Sequence, residues 1–232
     1  MHAPEIAKKI LPGQFLNIKV SDSLTPLLRR PFSVSDACNE EISILFHVCG
    51  EGTSILANKK PGESLDVIAP LGNGFSTDGS YKTALLVAGG IGVAPFPYLT
   101  KELVRTGKEV VTFYGASHAA MICDGKLINT MIATDDGSSG HHGTVIDLLE
   151  KHLASFPKES TKVFVCGPHR MLAAAQELLL KNNYEAEISA EAAMACGFGI
   201  CQGCPMPSSQ QEDLFLLVCK DGPVFNAKEI RL

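Results

Sequence analysis

Four cysteines in the C-terminal part of the chain have a spacing that could hold a metal centre. Cys196, Cys201 and Cys204 stand in one glycine-rich stretch, and Cys219 follows. The spacing C-x4-C-x2-C-x14-C is, up to its variable last gap, the plant-type arrangement for a [2Fe–2S] cluster. Glycines let backbone amides approach the sulfurs of such a cluster closely. The pattern therefore favours a one-electron redox centre.

Two other kinds of cysteine chemistry stay open on spacing alone. A zinc site usually has two C-x2-C pairs, whereas only Cys201 and Cys204 form one. Structural disulfides need an oxidising compartment, and the first residues lack the apolar segment of a secretion signal, so we expect a cytoplasmic protein with reduced thiols. Cys38, Cys49 and Cys123 have no partners of this kind and are expected to be free, buried thiols.

Length and charge narrow the function classes further. With 232 residues, 45% of them apolar, the chain can bury one large core or two smaller ones with an appendage. The net charge of −5 and the scattered charged residues give no basic surface, which argues against nucleic acid or an anionic membrane as a partner. The longest apolar stretch, residues 83–99, is interrupted by glycines and prolines and does not resemble a membrane span.

The elements that must position the cysteines fall into two patterns. Residues 1–78 contain period-2 alternation over 14–20, 41–48 and 64–68 with Pro-Gly turns between, which predicts antiparallel strands in a small barrel or sandwich. From residue 79 to 187, apolar strands alternate with helices, which predicts a parallel sheet covered on both faces. Residues 188–232 form the cysteine segment. The predicted strands of the second domain are 83–88, 109–114, 129–134 and 162–166, and its helices are 95–106, one between 114 and 129, 144–153 and 169–181.

A glycine loop connects the first strand of the second domain to its first helix. In Gly89–Pro95, glycines and a helix N-terminus could hold a phosphate. The strand ends at Asp135, Asp136 and Cys166–Pro168 reach the same sheet edge, where ligands of parallel sheets bind. Either aspartate could accept a hydrogen bond from a ribose hydroxyl and would repel a 2′-phosphate, which favours NAD over NADP. A ligand-free turn and a solvated acidic turn are the alternatives.

Two segments of the first domain could bind another anionic ligand. In Arg29–Ser35, arginine can hold a phosphate through two hydrogen bonds, and Ser33 can bond a ring nitrogen. Gly50–Leu56 reads as a glycine turn capped by Thr53 or Ser54 into a short helix. A surface arginine and an ordinary helix cap are the alternatives. No nucleophile, base and orienting acid can be matched, so no catalytic residue is assigned.

Taken together, these segments resemble the electron-transfer subunits of NAD-dependent (class 1B) dihydroorotate dehydrogenases, within the ferredoxin reductase-like group. The resemblance covers essentially the whole chain, and the cysteine segment is its most specific part. It implies a mixed fold with an N-terminal antiparallel β-barrel for FAD, an α/β parallel-sheet domain for NAD and a small C-terminal [2Fe–2S] domain. The residues that carry it are Arg30–Ser33, Gly52–Thr53, Gly89–Pro95, Cys166–Pro168, Met194–Gly197 and Cys219–Phe225.

The resemblance also implies a set of site residues. For FAD these are Arg30, Pro31, Phe32, Ser33, Leu45, Phe46, His47, Gly52 and Thr53, with the arginine at the phosphates and Ser33 near the isoalloxazine. For NAD they are Gly90, Gly92, Pro95, Cys166, Gly167 and Pro168, in addition to Asp135 and Asp136. For the cluster they are Cys196, Cys201, Cys204 and Cys219.

The function implied is an electron relay in pyrimidine (UMP) biosynthesis. A partner subunit with FMN would oxidise dihydroorotate, and electrons would pass through the cluster and FAD to NAD⁺, in a heterotetramer with two copies of each chain. One alternative is the flavin subunit of another NAD(P)H complex, of the sulfhydrogenase or flavin-bifurcating transhydrogenase type. Another is a zinc-stabilised docking module without redox activity.

The chain departs from the family pattern at three places. Relatives usually carry a further N-terminal segment with the first barrel strand, so the expectation is either an incomplete barrel that lacks this strand or a misassigned start of the sequence. His47 stands where arginine or lysine is usual, which would make one flavin phosphate contact depend on pH. Ala193 occupies a position where arginine is frequent, which removes one charge contact.

Overall fold

The N-terminal part of the chain forms a four-stranded antiparallel sheet. The computed structural model describes residues 1–123 and 125–232. The first elements are α1 (Pro4–Ala7), β1 (Phe15–Lys19), β2 (Arg30–Cys38), β3 (Glu41–Ile44), α2 (Glu51–Ala57) and β4 (Asp66–Leu71). The strand order is β3-β2-β1-β4, with every neighbouring pair antiparallel. The antiparallel character predicted for this domain is therefore confirmed.

A seven-stranded sheet follows. Its elements and those of the C-terminal segment are β5 (Thr83–Gly89), α3 (Phe96–Arg105), β6 (Glu109–Ala116), β7 (Thr130–Thr134), β8 (His141–His142), α4 (Val145–Leu153), β9 (Thr161–Cys166), α5 (His169–Lys181), β10 (Glu185–Ser189), β11 (Pro205–Pro207), β12 (Phe215–Leu217) and β13 (Val224–Asn226). The order is β13-β10-β9-β5-β6-β7-β8, and only β13 runs antiparallel to its neighbour. The predicted parallel α/β domain is confirmed.

The central strand β5 is buried on both faces. Leu85 and Val87 belong to the core beneath α4 and α5, whereas Leu86 and Ala88 belong to the core beneath α3. Successive side chains of a strand point to opposite faces. This is why the strand reads as a continuous apolar run rather than as an alternating one.

The C-terminal segment is built into the same body. Its strand β13 pairs with β10, and Cys204, Cys219 and Phe225 lie in the core that also contains Leu85. On the other side, the Asn73 backbone N–H donates to the Gly222 carbonyl at 2.6 Å. The four-cysteine segment is therefore held by both preceding domains. Within the described residues, no helix has the length and apolar character that crossing a membrane requires.

Three sequence-based expectations are wrong. The helix expected between residues 114 and 129 is not formed within the described residues 115–123 and 125–129, which hold only one short 3-10 turn, Ala119–Met121. The Tyr114 hydroxyl donates to the Met121 carbonyl and accepts from the Cys123 amide, which holds this crossover against the sheet. Left-handed backbone at Asn129, with a φ of 47°, also interrupts a helical course.

The second correction concerns the three isolated cysteines. All three are free, as expected, but Cys38 and Cys49 are exposed and Cys123 is only half-buried. Cys38 ends β2 just before the turn at Asn39, whose φ is 55°, and turns of this kind lie at the surface.

The third correction concerns the strand expected over residues 41–48. It ends at Ile44, and the following residues leave the sheet to line a cavity.

Candidate functional site

One cavity, of about 280 Å³, brings together the residues predicted for FAD. The predicted residues that line it are Arg30, Pro31, Phe32, Ser33, Leu45, Phe46, His47 and Thr53. The remaining one, Gly52, lies directly behind Arg30, because a Cβ added there would come within 3.2 Å of the arginine Nε. The sequence-based set therefore forms one site.

Local structure explains how these residues reach the cavity. Strand β2 supplies Arg30 and Ser33, and the irregular segment after β3 supplies Phe46. The rings of Phe32 and Phe46 pack with their centroids 5.4 Å apart and form an apolar wall. A flat aromatic ligand that also carries phosphate fits a cavity with an apolar wall and an arginine.

Thr53 caps α2 from inside its first turn. The helix begins at Glu51, and the Thr53 hydroxyl accepts the backbone N–H groups of Cys49 and Gly50 at 3.0 and 3.1 Å. The expected turn and short helix are present, and Thr53 rather than Ser54 supplies the capping oxygen. This contact fixes the Thr53 side chain at the edge of the cavity.

A larger cavity, of about 510 Å³, lies at the carboxyl ends of the parallel strands. Three of the residues predicted for NAD line it, namely Gly90, Asp135 and Pro168. A Cβ added at Gly90 would meet nothing within 4 Å, and its φ is 53°, so the backbone at this glycine is open to a ligand. The position at the strand ends agrees with the rule for ligands of open parallel sheets.

The other residues predicted for NAD lie elsewhere. Gly92, Pro95 and Cys166 line the smaller cavity of about 280 Å³ together with the residues predicted for FAD. Gly167 lines a neighbouring cavity of about 440 Å³. Asp136 lines none of these cavities. Its carboxylate instead accepts the backbone N–H and the hydroxyl of Ser138, at 2.9 and 2.6 Å. The hydrogen bond from the Ser138 hydroxyl is the main reason why the pKa of the Asp136 carboxyl lies below its usual value.

Gly92 lies where the loop after β5 contacts the loop after β9. A Cβ at this glycine would stand 2.4 Å from the Cys166 carbonyl oxygen, so only glycine allows the loop after β5 to touch the loop after β9. Burial raises the pKa of the Cys166 thiol to about 12, and the nearby Glu191 carboxyl adds to the shift. The thiol is therefore neutral at physiological pH. Cys166 lines the cavity of about 280 Å³, which we name the flavin-side cavity after the residues predicted for FAD.

A fourth cavity, of about 200 Å³, is lined by all three parts of the chain, and we name it the shared cavity. The first domain contributes Phe15, Pro31, Phe32 and Ser33, the second Cys166, and the C-terminal segment Ser189, Ala190, Glu191, Ala192, Met194 and Pro223. Five of these residues also line the flavin-side cavity, namely Pro31, Phe32, Ser33, Cys166 and Glu191. Loss of hydration in this environment raises the pKa of the Glu191 carboxyl.

Backbone amides point at the sulfurs of three of the four clustered cysteines, namely Cys196, Cys204 and Cys219. The Gly199 N–H donates to Cys219 Sγ at 3.1 Å, and the Cys201 N–H donates to Cys196 Sγ at 3.4 Å. Hydrogen bonds from the Cys201 and Phe198 amides lower the pKa of Cys196 to about 6. Burial and the neighbouring Cys204 thiol raise the pKa of Cys219 to about 12.

The chemistry of this donor set fits an iron–sulfur cluster. Four thiols are supplied, and amides are directed at sulfur, as such a cluster requires. Gly197 and Gly199 have φ values of 79° and 89°, which other residues rarely adopt. Across residues 1–123 and 125–232, no three His, Cys, Asp or Glu side chains stand together as a preformed metal site. The fit therefore rests on the spacing and on the amides.

Comparison with known proteins identifies the family. Residues 191–231 match the iron-sulfur cluster binding domain of dihydroorotate dehydrogenase B, and residues 86–177 match the oxidoreductase NAD-binding domain. The electron transfer subunit of dihydroorotate dehydrogenase B (NAD(+)) from Bacillus velezensis is 41% identical, over 95% of this chain and 87% of that protein. The corresponding subunit from Bacillus pumilus is 43% identical, over 95% and 86%.

The chain belongs to the family of dihydroorotate dehydrogenase B electron transfer subunits. A solved structure of an NADH-dependent reduced ferredoxin-NADP oxidoreductase is also similar, with a TM-score of 0.86 and 29% identity over 99% of this chain and 83% of that one. The fold is accordingly ferredoxin reductase-like, as the resemblance implied.

In this family member, several cavity residues were not predicted from the sequence. Ser117, Thr144, Asp147 and Arg170 line the larger cavity. Thr144 and Asp147 form a capping box at the start of α4, in which the Thr144 hydroxyl accepts the Asp147 N–H at 3.1 Å. The T-x-x-D pattern was a readable signal for that cap. No local pattern marks Arg170, which follows Cys166–Pro168 on the first turn of α5.

Proposed function

We propose that this chain is the electron-transfer subunit of an NAD-dependent dihydroorotate dehydrogenase. It takes electrons from a partner that carries FMN and oxidises dihydroorotate, and passes them through [2Fe–2S] and FAD to NAD⁺, in pyrimidine biosynthesis. The observation that carries the proposal is the shared cavity, because residues of the flavin, nucleotide and cysteine segments all line it. Three redox groups held by these segments would be neighbours.

The bound groups divide the chemistry between them. A [2Fe–2S] cluster carries one electron, whereas nicotinamide exchanges two as a hydride, so a flavin is required as the converter. The residues of this chain bind and orient these groups and carry no dihydroorotate chemistry. The site that oxidises dihydroorotate is in the partner.

For FAD, the flavin-side cavity supplies two kinds of contact. The Arg30 guanidinium is suited to a phosphate, and the apolar wall of Phe32 and Phe46 to a ring. Ser33 lies on β2 beside both the flavin-side and the shared cavity, where its hydroxyl can hydrogen-bond the flavin ring. Leu45, Pro31, His47, Gly52 and Thr53 complete the proposed set.

For NAD, we propose contacts in two cavities, the larger cavity and the flavin-side cavity. Gly90 and the start of α5 face the larger cavity and are suited to the phosphates. Asp135 lines the same cavity and is suited to a ribose hydroxyl, whereas the carboxylate of Asp136 is occupied by Ser138. Pro95 and Cys166, on the flavin side, would contact the nicotinamide end. Gly92, Gly167 and Pro168 shape the loops between these two ends.

Cys196, Cys201, Cys204 and Cys219 are proposed as the cluster ligands. Four large apolar side chains of the same C-terminal segment are exposed: Phe198, Ile200, Leu214 and Phe215, with exposed fractions of 44%, 76%, 37% and 55%. Exposed apolar side chains of this size are suited to contact with a protein partner. We assign this face to the catalytic subunit, in a heterotetramer with two copies of each chain.

The domain boundaries proposed are 1–78, 79–187 and 188–232. The matched ranges of the two family models fall within the second and third of these. Strand β10 crosses the last boundary, so the third unit shares a sheet with the second. We also propose a cytoplasmic location, because thiols that hold a cluster need a reducing compartment.

Co-purification of the native complex tests the function. We expect FAD and iron in this chain, FMN in the partner, and NAD⁺ reduction that depends on dihydroorotate. A partner without FMN or without that activity contradicts the specific assignment. Zinc in place of iron, with no flavin absorbance, contradicts any redox role.

A second redox function has one specific observation in its favour. The similarity to the NADH-dependent reduced ferredoxin-NADP oxidoreductase extends over 99% of this chain. A complex that reduces NADP⁺ with NADH and reduced ferredoxin together, and is indifferent to dihydroorotate, would support that function instead.

A further inference from the structure

Asn17 connects the flavin sheet to the cysteine segment. Its side-chain Nδ2 donates to the Cys196 carbonyl oxygen at 2.8 Å, across 179 positions of sequence. On the sheet, Asn17 of β1 pairs directly with Pro31 of β2, which belongs to the proposed flavin site. One side chain therefore touches a proposed cluster ligand from the strand that supports the flavin site.

Asn17 is an unusual residue for its position. It lies between Leu16 and Ile18, which are fully buried, and is itself only 1% exposed. Its Oδ1 has no hydrogen-bond partner among the described residues. A buried acceptor left unsatisfied costs stability. An apolar residue of similar size would avoid that cost, so the amide has to be explained by what its Nδ2 holds.

The approach of the cysteine loop to this amide is as close as a backbone allows. A Cβ added at Gly197, the residue after Cys196, would stand 2.4 Å from Asn17 Nδ2. The φ of Gly197 is 79°, which directs the loop back past the amide. Glycine is therefore needed here for contact with Asn17 as well as for loop conformation.

We propose that Asn17 is a positioning residue for electron transfer between the cluster and the flavin. The proposal rests on the proposed function. Asn17 fixes the Cys196 end of the loop against β1, and thereby sets the separation of the two redox groups. Each transfer oxidises the reduced cluster by one electron and reduces the flavin by one. Two such transfers and one proton complete the reduced flavin, which returns to its oxidised form by donating a hydride to NAD⁺.

The chain offers a matched control for this contact. Asn73 also precedes the second domain, and its Nδ2 donates to the Asp221 carbonyl oxygen of the C-terminal segment at 2.7 Å. It makes the same kind of bond between the same two parts of the chain, but not to a cysteine. A general loosening of the segment would follow from loss of either bond. A specific role at Cys196 would follow only from loss of the Asn17 bond.

The test compares Asn17→Leu with Asn73→Leu in the purified complex, reduced anaerobically with NADH in a stopped-flow instrument. NADH reduces the flavin first, and one electron then passes to the oxidised cluster, so the two steps have separate absorbance changes. Since the rate of electron transfer falls steeply as two redox groups move apart, we expect Asn17→Leu to slow cluster reduction severalfold. Flavin reduction should be unchanged. Asn73→Leu should leave both steps at the wild-type rate.

Readouts other than activity keep the proposal testable if Asn17→Leu loses its cluster. Asn17→Asp keeps the size of the side chain but turns an oxygen toward the Cys196 carbonyl. Amide hydrogen exchange of residues 195–198 should accelerate in Asn17→Asp and stay unchanged in Asn73→Leu. The electron paramagnetic resonance spectrum of the reduced cluster should change in Asn17→Asp and stay unchanged in Asn73→Leu.

The outcomes separate the two proposals. Wild-type complex in which NADH bleaches no flavin contradicts the proposed function, and the role of Asn17 with it. A wild-type complex that shows both steps, with Asn17→Leu equally fast, contradicts the role of Asn17 alone. Equal slowing in Asn17→Leu and Asn73→Leu also overturns it, since the effect would then be a general one on docking.

Discussion

A buried ion pair should make Lys162 one of the most sensitive residues for stability. The Lys162 side chain is only 6% exposed, and its Nζ lies 2.8 Å from Glu187 Oε1 and 3.0 Å from Glu185 Oε1. Burial alone would lower the pKa of Lys162, but the hydrogen bonds and charges of the two glutamates outweigh it and raise the pKa. Replacement of Lys162 by methionine removes the charge and keeps most of the apolar length of the side chain.

The size of the effect follows from what is left behind. In Lys162→Met, Glu187 stays buried with hydrogen bonds from the Ser76 N–H and hydroxyl, at 2.9 and 2.7 Å, but without its cation. Loss of one partner of a buried pair costs about 3–5 kcal/mol, and the Ser76 bonds favour the lower end. For a chain of this size, each kcal/mol lowers the unfolding temperature by about 2–4 °C. The expected decrease is therefore about 6–12 °C.

Thermal unfolding of three variants tests this reasoning. Lys8→Met is the control, because Lys8 pairs with Glu5 at 3.4 Å on an exposed surface, with exposed fractions of 61% and 76%, and exposed pairs contribute about 0–1 kcal/mol. The double variant Lys162→Met with Glu187→Gln should recover at least half of the loss, since no uncompensated charge remains. If Lys162→Met behaves like Lys8→Met, or if the double variant is no better than the single one, the burial argument is refuted.

Three further predictions concern the sites. Thr144→Ala should destabilise the chain by about 1 kcal/mol through loss of the α4 cap. Because the Thr144 hydroxyl and backbone hold the Asp147 pKa below 3.8, this difference should be full at neutral pH and diminish as pH falls below that value, which acid titration of unfolding would check. Gly197→Ala should lower bound iron per chain, because its Cβ has no room beside Asn17; unchanged iron would contradict it. Cys219→Ser should abolish the cluster spectrum and leave FAD bound, as absorbance would show.

The sequence was sufficient for the parts of the fold in which local pattern and burial agree. The apolar run of β5 predicts a strand buried on both faces, and Leu85 and Leu86 indeed lie in different cores. The alternation around Leu16 predicts a strand, and Leu16 and Ile18 do share one core. The burial of Asn17 on the opposite face, at 1% exposure, does not follow from the alternation, because the C-terminal segment covers that face.

Prediction failed where tertiary contacts decide. The crossover after β6 has no helix within its described residues, because the Tyr114 hydroxyl satisfies backbone groups that a helix would otherwise satisfy. Gly92 and Cys166 face the flavin-side cavity rather than the larger one, and the contact between their two loops is not encoded in either loop alone. Arg170 reaches the larger cavity only because α5 starts at its edge.

The pairing of β13 with β10 has a consequence for how the protein is made. Until residues 224–226 leave the ribosome, β10 is an edge strand with unpaired backbone groups, which favours aggregation. The cysteines precede β13 in the chain, and Cys204 and Cys219 are buried in the core that β13 helps to close. Completion of the sheet and enclosure of Cys204 and Cys219 are therefore one late step of biogenesis.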